Sequence, residues 1–157
     1  MQTEPNAPAA RYDDDFVEWL AAQAAAVREG RWTAIDVENL AEEIDALARS
    51  DKRELRSRLE VLLTHLLKKD RQPDGLSESW LRTINHQSSN IVLLLEDSPS
   101  LRRVLPEYVA KAYGRARVEA ARETRLALKN FPETLAPQVA RELDRLLAPD
   151  PAESDRG

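Results

Sequence analysis

The stretch from Asp36 to Trp80 reads DVENLAEEIDALARSDKRELRSRLEVLLTHLLKKDRQPDGLSESW, and its apolar residues recur at steps of three and four positions. That spacing places them on one side of an α-helix. A single helix from Asp36 to Arg71 would be about 54 Å long at about 1.5 Å per residue. No proline or glycine interrupts it before Pro73, so the sequence leaves open whether the chain bends near Ser50.

A first helix is predicted upstream, beginning near Asp14 and ending at Gly30. Acidic residues at its start suit the positive end of the helix dipole, and glycine often follows the end of a helix. Its expected apolar stripe, which lies beside Trp19, consists of Phe16, Leu20, Ala24 and Val27. The apolar positions of the second helix are Val37, Leu40, Ala41, Ile44, Leu47 and Ala48.

Three more helices are predicted downstream. The third begins at Ser77. The fourth begins at Ser98 and Pro99, with the proline at the first helical position, and a short last helix begins near Pro137. Pro106 is expected to kink or restart the fourth helix. Because the chain has four glycines and few alternating β-branched runs, no sheet is expected. The predicted fold is all-α, an antiparallel helical bundle of five or six helices, one of them kinked at Pro106.

The composition bounds the organisation of the chain. Its 157 residues suggest one helical domain over residues 12–148, between disordered segments at 1–11 and 149–157. No apolar run reaches the roughly 20 residues that a membrane-spanning helix needs, and the first residues do not resemble a secretory signal. We therefore expect a cytoplasmic protein. The absence of cysteine excludes disulfides and thiolate metal sites, and two histidines exclude a three-histidine site in one chain.

The net charge of -5 and pI near 5.2 argue against binding of nucleic acid, which requires a basic surface. Asp36 to Leu47 holds five acids and no base, whereas Arg102 to Lys129 holds eight bases and three acids. We interpret these segments as solvated helix faces of opposite charge. The alternative is that they create an electrostatic field that steers a charged ligand. A nucleic-acid interface is the weakest hypothesis, and it would use Arg102, Arg103, Arg115, Arg117, Arg122 and Arg125.

Candidate metal ligands lie near the start of the second helix. Asp36, Asn39 and Glu43 stand at i, i+3 and i+7, and Glu42 occupies the neighbouring row. Such a carboxylate row could bind a hard cation such as Mg²⁺. The structural alternative is that these acids cap the helix or form ion pairs, and the sequence favours it because no clean second pair of acids completes a pyrophosphohydrolase pattern.

Three other positions carry alternative interpretations. His65 is a candidate general base with Glu43 as its candidate partner, and the structural alternative is a histidine bonded to a carboxylate or a backbone carbonyl. His86 lies in a polar patch of the third helix that faces either solvent or a partner. Trp80 is expected to anchor the core rather than stack on a ligand. Isolated glycines exclude a glycine-rich phosphate loop, and no cofactor is predicted.

A series of motifs carries a family resemblance. It comprises Tyr12, Asp15, Phe16, Trp19, Gly30, Arg31, the run Asp36–Ile44, His65–Lys68, Pro73, Ser79, Trp80, Ile84, Gln87, Pro99–Leu101, Tyr113, Ala116, Phe131 and Pro132. In this order they resemble the bacterial family known as domain of unknown function 29. The chain departs from the pattern after Lys68, where an aromatic run is common in the family. The resemblance implies a compact helical domain and brings no activity, substrate or cofactor with it.

The predicted function is a non-enzymatic helical module that binds a protein partner or assembles with itself. Long amphipathic helices and the lack of a complete catalytic set favour it. The alternative is a metal-dependent phosphohydrolase or other small-molecule enzyme that combines the carboxylate row of the second helix with His65. That alternative requires Asp36, Asn39, Glu42, Glu43 and His65 to meet in one pocket.

Overall fold

The structure, a computed structural model, describes residues 11–149. These residues form five α-helices: α1 (Phe16–Arg28), α2 (Val37–Arg71), α3 (Glu78–Asp97), α4 (Leu101–Thr124) and α5 (Pro137–Leu147). Single 3₁₀ turns lie at Trp32–Ala34, Pro73–Gly75 and Leu128–Asn130. Since none of the described residues is in a strand, the all-α prediction is confirmed. The predicted disordered segments lie largely at residues 1–10 and 150–157, which are outside the described residues.

Local chemistry fixes the ends of the helices. The Asp15 carboxylate accepts a hydrogen bond from the Glu18 amide at 2.9 Å and caps α1, and Ser77 caps α3 in the same way. Gly30 follows α1 with a φ of 69°, in the left-handed region that favours glycine. The fourth helix begins two residues after Pro99, and it runs through Pro106 without restarting.

The described chain divides into two compact units, residues 11–49 and residues 50–149, and the boundary between them falls inside α2. This helix is continuous over 35 residues, which settles the question that the sequence left open near Ser50. The single domain expected over residues 12–148 stays a prediction. Among residues 11–149, no helix is both long and apolar enough to cross a bilayer.

The second unit is built around the C-terminal half of α2. Six leucines of this segment are at most 1% exposed: Leu55, Leu59, Leu62, Leu63, Leu66 and Leu67. They join one core with apolar residues of the following helices, chiefly Ile84, Ile91, Leu95, Ala112, Tyr113, Ala116, Ala120, Val139, Leu143 and Leu147. Each fully buried leucine contributes about 2 kcal/mol of transfer free energy. Leu62 and Ile84 both belong to this buried core.

The segment between α4 and α5 is tied to the same core. Phe131 is fully buried, and the Tyr113 hydroxyl donates to the Pro132 carbonyl at 2.7 Å. Arg117 donates from Nε to the carbonyl of Phe131 at 2.8 Å. These bonds satisfy backbone carbonyls that a loop would otherwise leave without a partner. The loop is thus held by α4 on the side that faces the core.

The first unit buries little apolar surface. Its buried residues are Trp19, Gln23 and Ala26, one stripe of α1. The expectation that Ile44 is buried is wrong, since Ile44 is exposed and Leu40 is only half-buried. Phe16, Leu20 and Val27 of the predicted α1 stripe are exposed as well. The physical reason is that α1 turns the large indole of Trp19 inward, which rotates the neighbouring apolar stripe outward.

A pair of identical substitutions tests the location of the core. Leu63→Ala should lower the free energy of unfolding by about 3 kcal/mol, because the side chain is fully buried and the neighbouring helices cannot fill the cavity. Leu93→Ala is the control, since Leu93 is 57% exposed on α3 and should change stability by less than about 1 kcal/mol. Urea unfolding followed by circular dichroism measures both. Equal losses for the two variants would contradict this core.

Candidate functional site

Within the first unit, α1 and the N-terminal half of α2 form an antiparallel hairpin. Near one end, the Tyr12 hydroxyl donates to Glu43 Oε1 at 2.5 Å. Near the other, the Asp36 amide donates to Gln23 Oε1 at 2.7 Å. As the residue number rises from Tyr12 to Gln23, the number of the partner falls from Glu43 to Asp36, so the two segments run antiparallel. A polar bond therefore fastens the hairpin at each end.

Asp36 acts as the cap of α2. Its Oδ1 accepts a hydrogen bond from the Asn39 amide at 3.3 Å, and its Oδ2 accepts one from Asn39 Nδ2 at 2.8 Å. The Asn39 side chain is the main cause that lowers the pKa of Asp36, and the Asn39 amide and Trp19 add to it. Two of the predicted metal ligands are thus brought together, in the capping arrangement that the structural alternative predicts.

Glu43 and Glu42 have separate partners. Glu43 accepts from Tyr12, and this bond is the main reason that the pKa of Tyr12 is raised. Tyr12 also packs edge-on against Trp19, with ring centroids 4.9 Å apart. Glu42 is exposed and lies 3.9 Å from Arg49. No group of three or more His, Cys, Asp or Glu residues suited to a metal ion is found among residues 11–149. The metal and catalytic roles of these residues stay predictions.

The hairpin carries an uncovered apolar stripe on each helix. The stripe of α1 consists of Val17, Leu20, Ala24 and Val27, and that of α2 consists of Val37, Leu40, Ile44 and Leu47. Both follow the spacing i, i+3, i+7 and i+10, which keeps residues on one side of a helix. Ala24 and Leu40 are half-buried, and the other six residues are exposed. We call these eight residues the hairpin face.

The two stripes lie on the same side of the hairpin. In α1 the inward stripe is Trp19, Gln23 and Ala26, and in α2 the half-buried stripe is Asn39, Glu43 and Ala46. In both helices the apolar stripe begins two residues before the inward stripe. This offset places the apolar stripe roughly 110° around the helix axis from the inward stripe, in the same sense in α1 and in α2. Because the helices are antiparallel, equal rotations of the same sense bring both apolar stripes to one side. The hairpin face is therefore a contiguous surface within the first unit.

His65 lies in the second unit, in a groove of about 350 Å³ lined by α2 and α4. Its Nδ1 is 2.9 Å from the Val61 carbonyl and donates to it, since a carbonyl oxygen can only accept. The carboxylates that line the groove have cationic partners: Glu60 pairs with Arg56 and Arg115, Glu119 with Arg122, and Glu123 with Lys68. Glu43 belongs to the other unit, and the pairing of His65 with it stays a prediction.

Lys68 is a buried charge that the sequence reasoning did not identify. It is 5% exposed, forms an ion pair with Glu123, and places Nζ 4.3 Å from the centre of the Trp80 ring. A buried ammonium requires such partners, since desolvation without them is costly. Trp80 is half-buried and packs on this lysine. The sequence does place Lys68 directly beside the leucine stripe, which indicates a lysine close to the core. Its partner Glu123 lies 55 residues away, so no local pattern indicates the ion pair.

The chain's membership of a family rests on its whole helical part. The family model described as domain of unknown function DUF29 matches residues 11–147, which cover nearly all of the described chain. The chain belongs to this family. No curated protein and no solved structure matches it. The resemblance seen in the sequence is thereby confirmed, and the family description assigns no activity to the DUF29 chain.

The remaining candidate residues of the DUF29 chain have internal contacts or face solvent. Among the arginines of α4, Arg102 donates to the Leu147 carbonyl, Arg117 to that of Phe131, and Arg122 pairs with Glu119. In the polar patch of α3, Asn85, His86 and Ser89 are exposed, while Gln87 accepts a hydrogen bond from Arg58. Internal contacts therefore engage several of the basic groups that a nucleic-acid interface would use.

The capping geometry predicts a measurable pKa. Because the folded-state pKa of Asp36 is lowered, its stabilising contribution is present above the unfolded value of about 3.9 and is lost as the pH falls through the folded value. Asn39→Ala removes the main cause and should raise the pKa of Asp36 toward that ordinary value. Carbon-detected NMR titration of the carboxyl groups measures the change.

Asn90→Ala is the matched control for this titration, because Asn90 bonds to His86 on α3. It should leave the pKa of Asp36 unchanged. A pKa of Asp36 that is the same in the Asn39→Ala variant as in the parent would show that the cap does not stabilise the charged form.

Proposed function

We propose that this chain is a non-enzymatic helical module whose first unit binds another protein chain through the hairpin face. The observation that carries the proposal is the exposure of apolar side chains that share one surface. Val37 and Leu47 are 69% and 70% exposed, although each belongs to a regular apolar stripe. Helical stripes of this kind are normally covered.

The size of the hairpin face supports the same proposal. Its six exposed side chains present roughly 500 Å² of surface, near the upper end of the apolar patches that typical monomers show and often use in function. In the first unit, the buried apolar residues are Trp19 and Ala26. Covering the hairpin face would therefore add substantially to the apolar surface that this unit buries.

The enzymatic alternative, a metal-dependent phosphohydrolase or other small-molecule enzyme, stays a hypothesis. In the described part of the chain, Asp36 and Asn39 bond to each other, Glu43 bonds to Tyr12, and the groove beside His65 holds carboxylates that pair with basic side chains. These contacts favour structural roles. The proposal includes a cytoplasmic location. The chain that covers the hairpin face is either a partner protein or a second copy of the same chain.

A double substitution on the hairpin face tests the proposal. Val37→Ser with Leu47→Ser should weaken a saturable association of the chain by at least about tenfold, because two anchors of the interface lose their apolar contact. The association is measured by sedimentation equilibrium of the chain over a wide concentration range. A partner captured from the bacterial host is purified, and its affinity is measured by calorimetry.

Val118→Ser with Leu93→Ser is the matched control, since these residues of the second unit are 56% and 57% exposed and undergo the same chemical changes. The control should leave the association intact. The proposal fails if the chain is monomeric at all concentrations and captures no partner, or if the hairpin and control variants bind equally well.

A further inference from the structure

The first unit also contains a polar pocket, which is separate from the hairpin face. The pocket has a volume of about 520 Å³ and lies where residues 11–14 meet α1 and the beginning of α2. Tyr12, Trp19, Gln23, Asp36 and Asn39 line it, and the residues of the hairpin face do not. Sites for small ligands have volumes of roughly 300–1,000 Å³, so the size is suitable for a ligand. We call this space the Gln23 pocket.

Gln23 directs a hydrogen-bond donor into the pocket. Its side chain is 4% exposed, and its Oε1 accepts a hydrogen bond from the Asp36 amide at 2.7 Å. Because a backbone amide only donates, this bond identifies the oxygen of the side chain and leaves Nε2 as the other atom. Every fully buried side-chain nitrogen or oxygen of residues 11–149 has a hydrogen-bond partner. Nε2 has none among these residues, so it reaches the open space of the pocket and can donate to an oxygen of a ligand.

Acceptor atoms line the same pocket at the beginning of α2. Each carboxylate oxygen of Asp36 accepts one bond from Asn39 and can accept another. Within the described chain, Asn39 Oδ1 accepts no hydrogen bond, because the contact of this side chain with Asp36 is made by Nδ2. Asn39 also lowers the pKa of Asp36, so the carboxylate is charged at neutral pH. These oxygens can accept several hydrogen bonds from one cationic group of a ligand.

The charge of the pocket favours a cation. Asp13 and Asp14 line it in addition to Asp36, whereas Arg11 is the one base among the lining residues. The ion pairs found among residues 11–49 lie elsewhere. Three carboxylates and one guanidinium therefore give the pocket a net negative charge, which attracts a cation and repels an anion.

The lining groups together define the chemistry of the ligand. Tyr12 and Trp19, with ring centroids 4.9 Å apart, provide aromatic surface that favours a cation. Asp36 and Asn39 can accept from a primary ammonium, and Gln23 Nε2 requires an oxygen near that ammonium. A bare metal ion offers no such oxygen, and a free amino acid would bring a carboxylate into anionic surroundings. An ammonium beside an uncharged carbonyl meets both requirements.

We propose that the Gln23 pocket binds a primary α-ammonium group that has a neighbouring carbonyl oxygen. The ammonium donates to Asp36 and Asn39, and the carbonyl accepts from Gln23 Nε2. An amino-acid amide presents this arrangement, and so does the N-terminus of a peptide, which proteins commonly recognise. The inference is independent of the proposed function, because the pocket and the hairpin face share no residue.

Titration of the full chain with L-alaninamide, followed by NMR, tests the inference. The signal of the Gln23 side-chain amide should shift and saturate as one site is filled. N-acetyl-L-alaninamide keeps a carbonyl but has no charge, and it should bind at least about tenfold more weakly. Equal affinities of the two compounds, or a Gln23 signal that does not respond, would overturn the inference.

A pair of charge variants separates the pocket from the net charge of the chain. Asp36→Asn removes the charge but keeps the helix cap, since asparagine caps helices as well as aspartate does. It should weaken the binding of L-alaninamide at least about tenfold. Asp45→Asn is the control, because Asp45 is exposed on the same helix outside the pocket and should have little effect. Equal effects of the two variants would contradict binding at Asp36.

The role of Gln23 has a test of its own. The parent chain should bind L-alaninamide at least about threefold more tightly than ethylamine, which lacks the carbonyl. Gln23→Glu keeps an acceptor for the Asp36 amide and removes the donor, so this preference should disappear. A preference that persists in the variant would show that Gln23 does not bind the carbonyl.

Trialanine amide distinguishes the two sources of the ligand. If it binds at least about tenfold more tightly than L-alaninamide, further peptide contacts contribute and the ligand is a peptide N-terminus. If it binds equally or more weakly, the ligand is a small amino-acid amide.

Discussion

Burial of the leucine stripe of α2 is the interaction on which the second unit depends. Six leucines between Leu55 and Leu67 are removed from water by α3, α4 and α5, and together they contribute on the order of 10 kcal/mol of transfer free energy. Ile84 and Leu143 belong to the same core, and the small alanines of α4 allow that helix to approach closely. The ion pair of Lys68 and the bonds of Tyr113 lie around that core and orient the neighbouring segments.

The same helix has a different character in the first unit. Up to Arg49 it lacks a comparable core, and its contacts with α1 depend on Trp19, on the bond from the Asp36 amide to Gln23 and on the bond between Tyr12 and Glu43. Apolar residues still recur along this half at the same spacing as in the second half. A stripe that is regular in sequence but uncovered in the structure explains why association is the function that the hairpin supports best.

Sequence reasoning predicts helices better than it predicts their environment. The starts at Ser77 and Pro137 follow from caps and prolines, which are local properties, whereas the continuity of α2 near Ser50 was left open by the sequence and is seen only in the structure. The exposure of Ile44 could not be predicted, because periodicity defines a stripe and does not say what covers it. Likewise, the partners of Glu43 and Lys68 lie 31 and 55 residues away in sequence, so spacing carried no sign of them. Asp36 and Asn39 were identified correctly as neighbours, since one helical turn separates them.

Native-state hydrogen exchange along α2 tests most directly the claim that one helix has a leucine core in its second half and an uncovered apolar face in its first. The amides of residues 55–67 should exchange only through global unfolding, since their side chains are fully buried. The amides of residues 40–47 should exchange through local opening at a free energy at least about 2 kcal/mol lower. Equal protection of the two segments in the isolated monomeric chain would contradict the account.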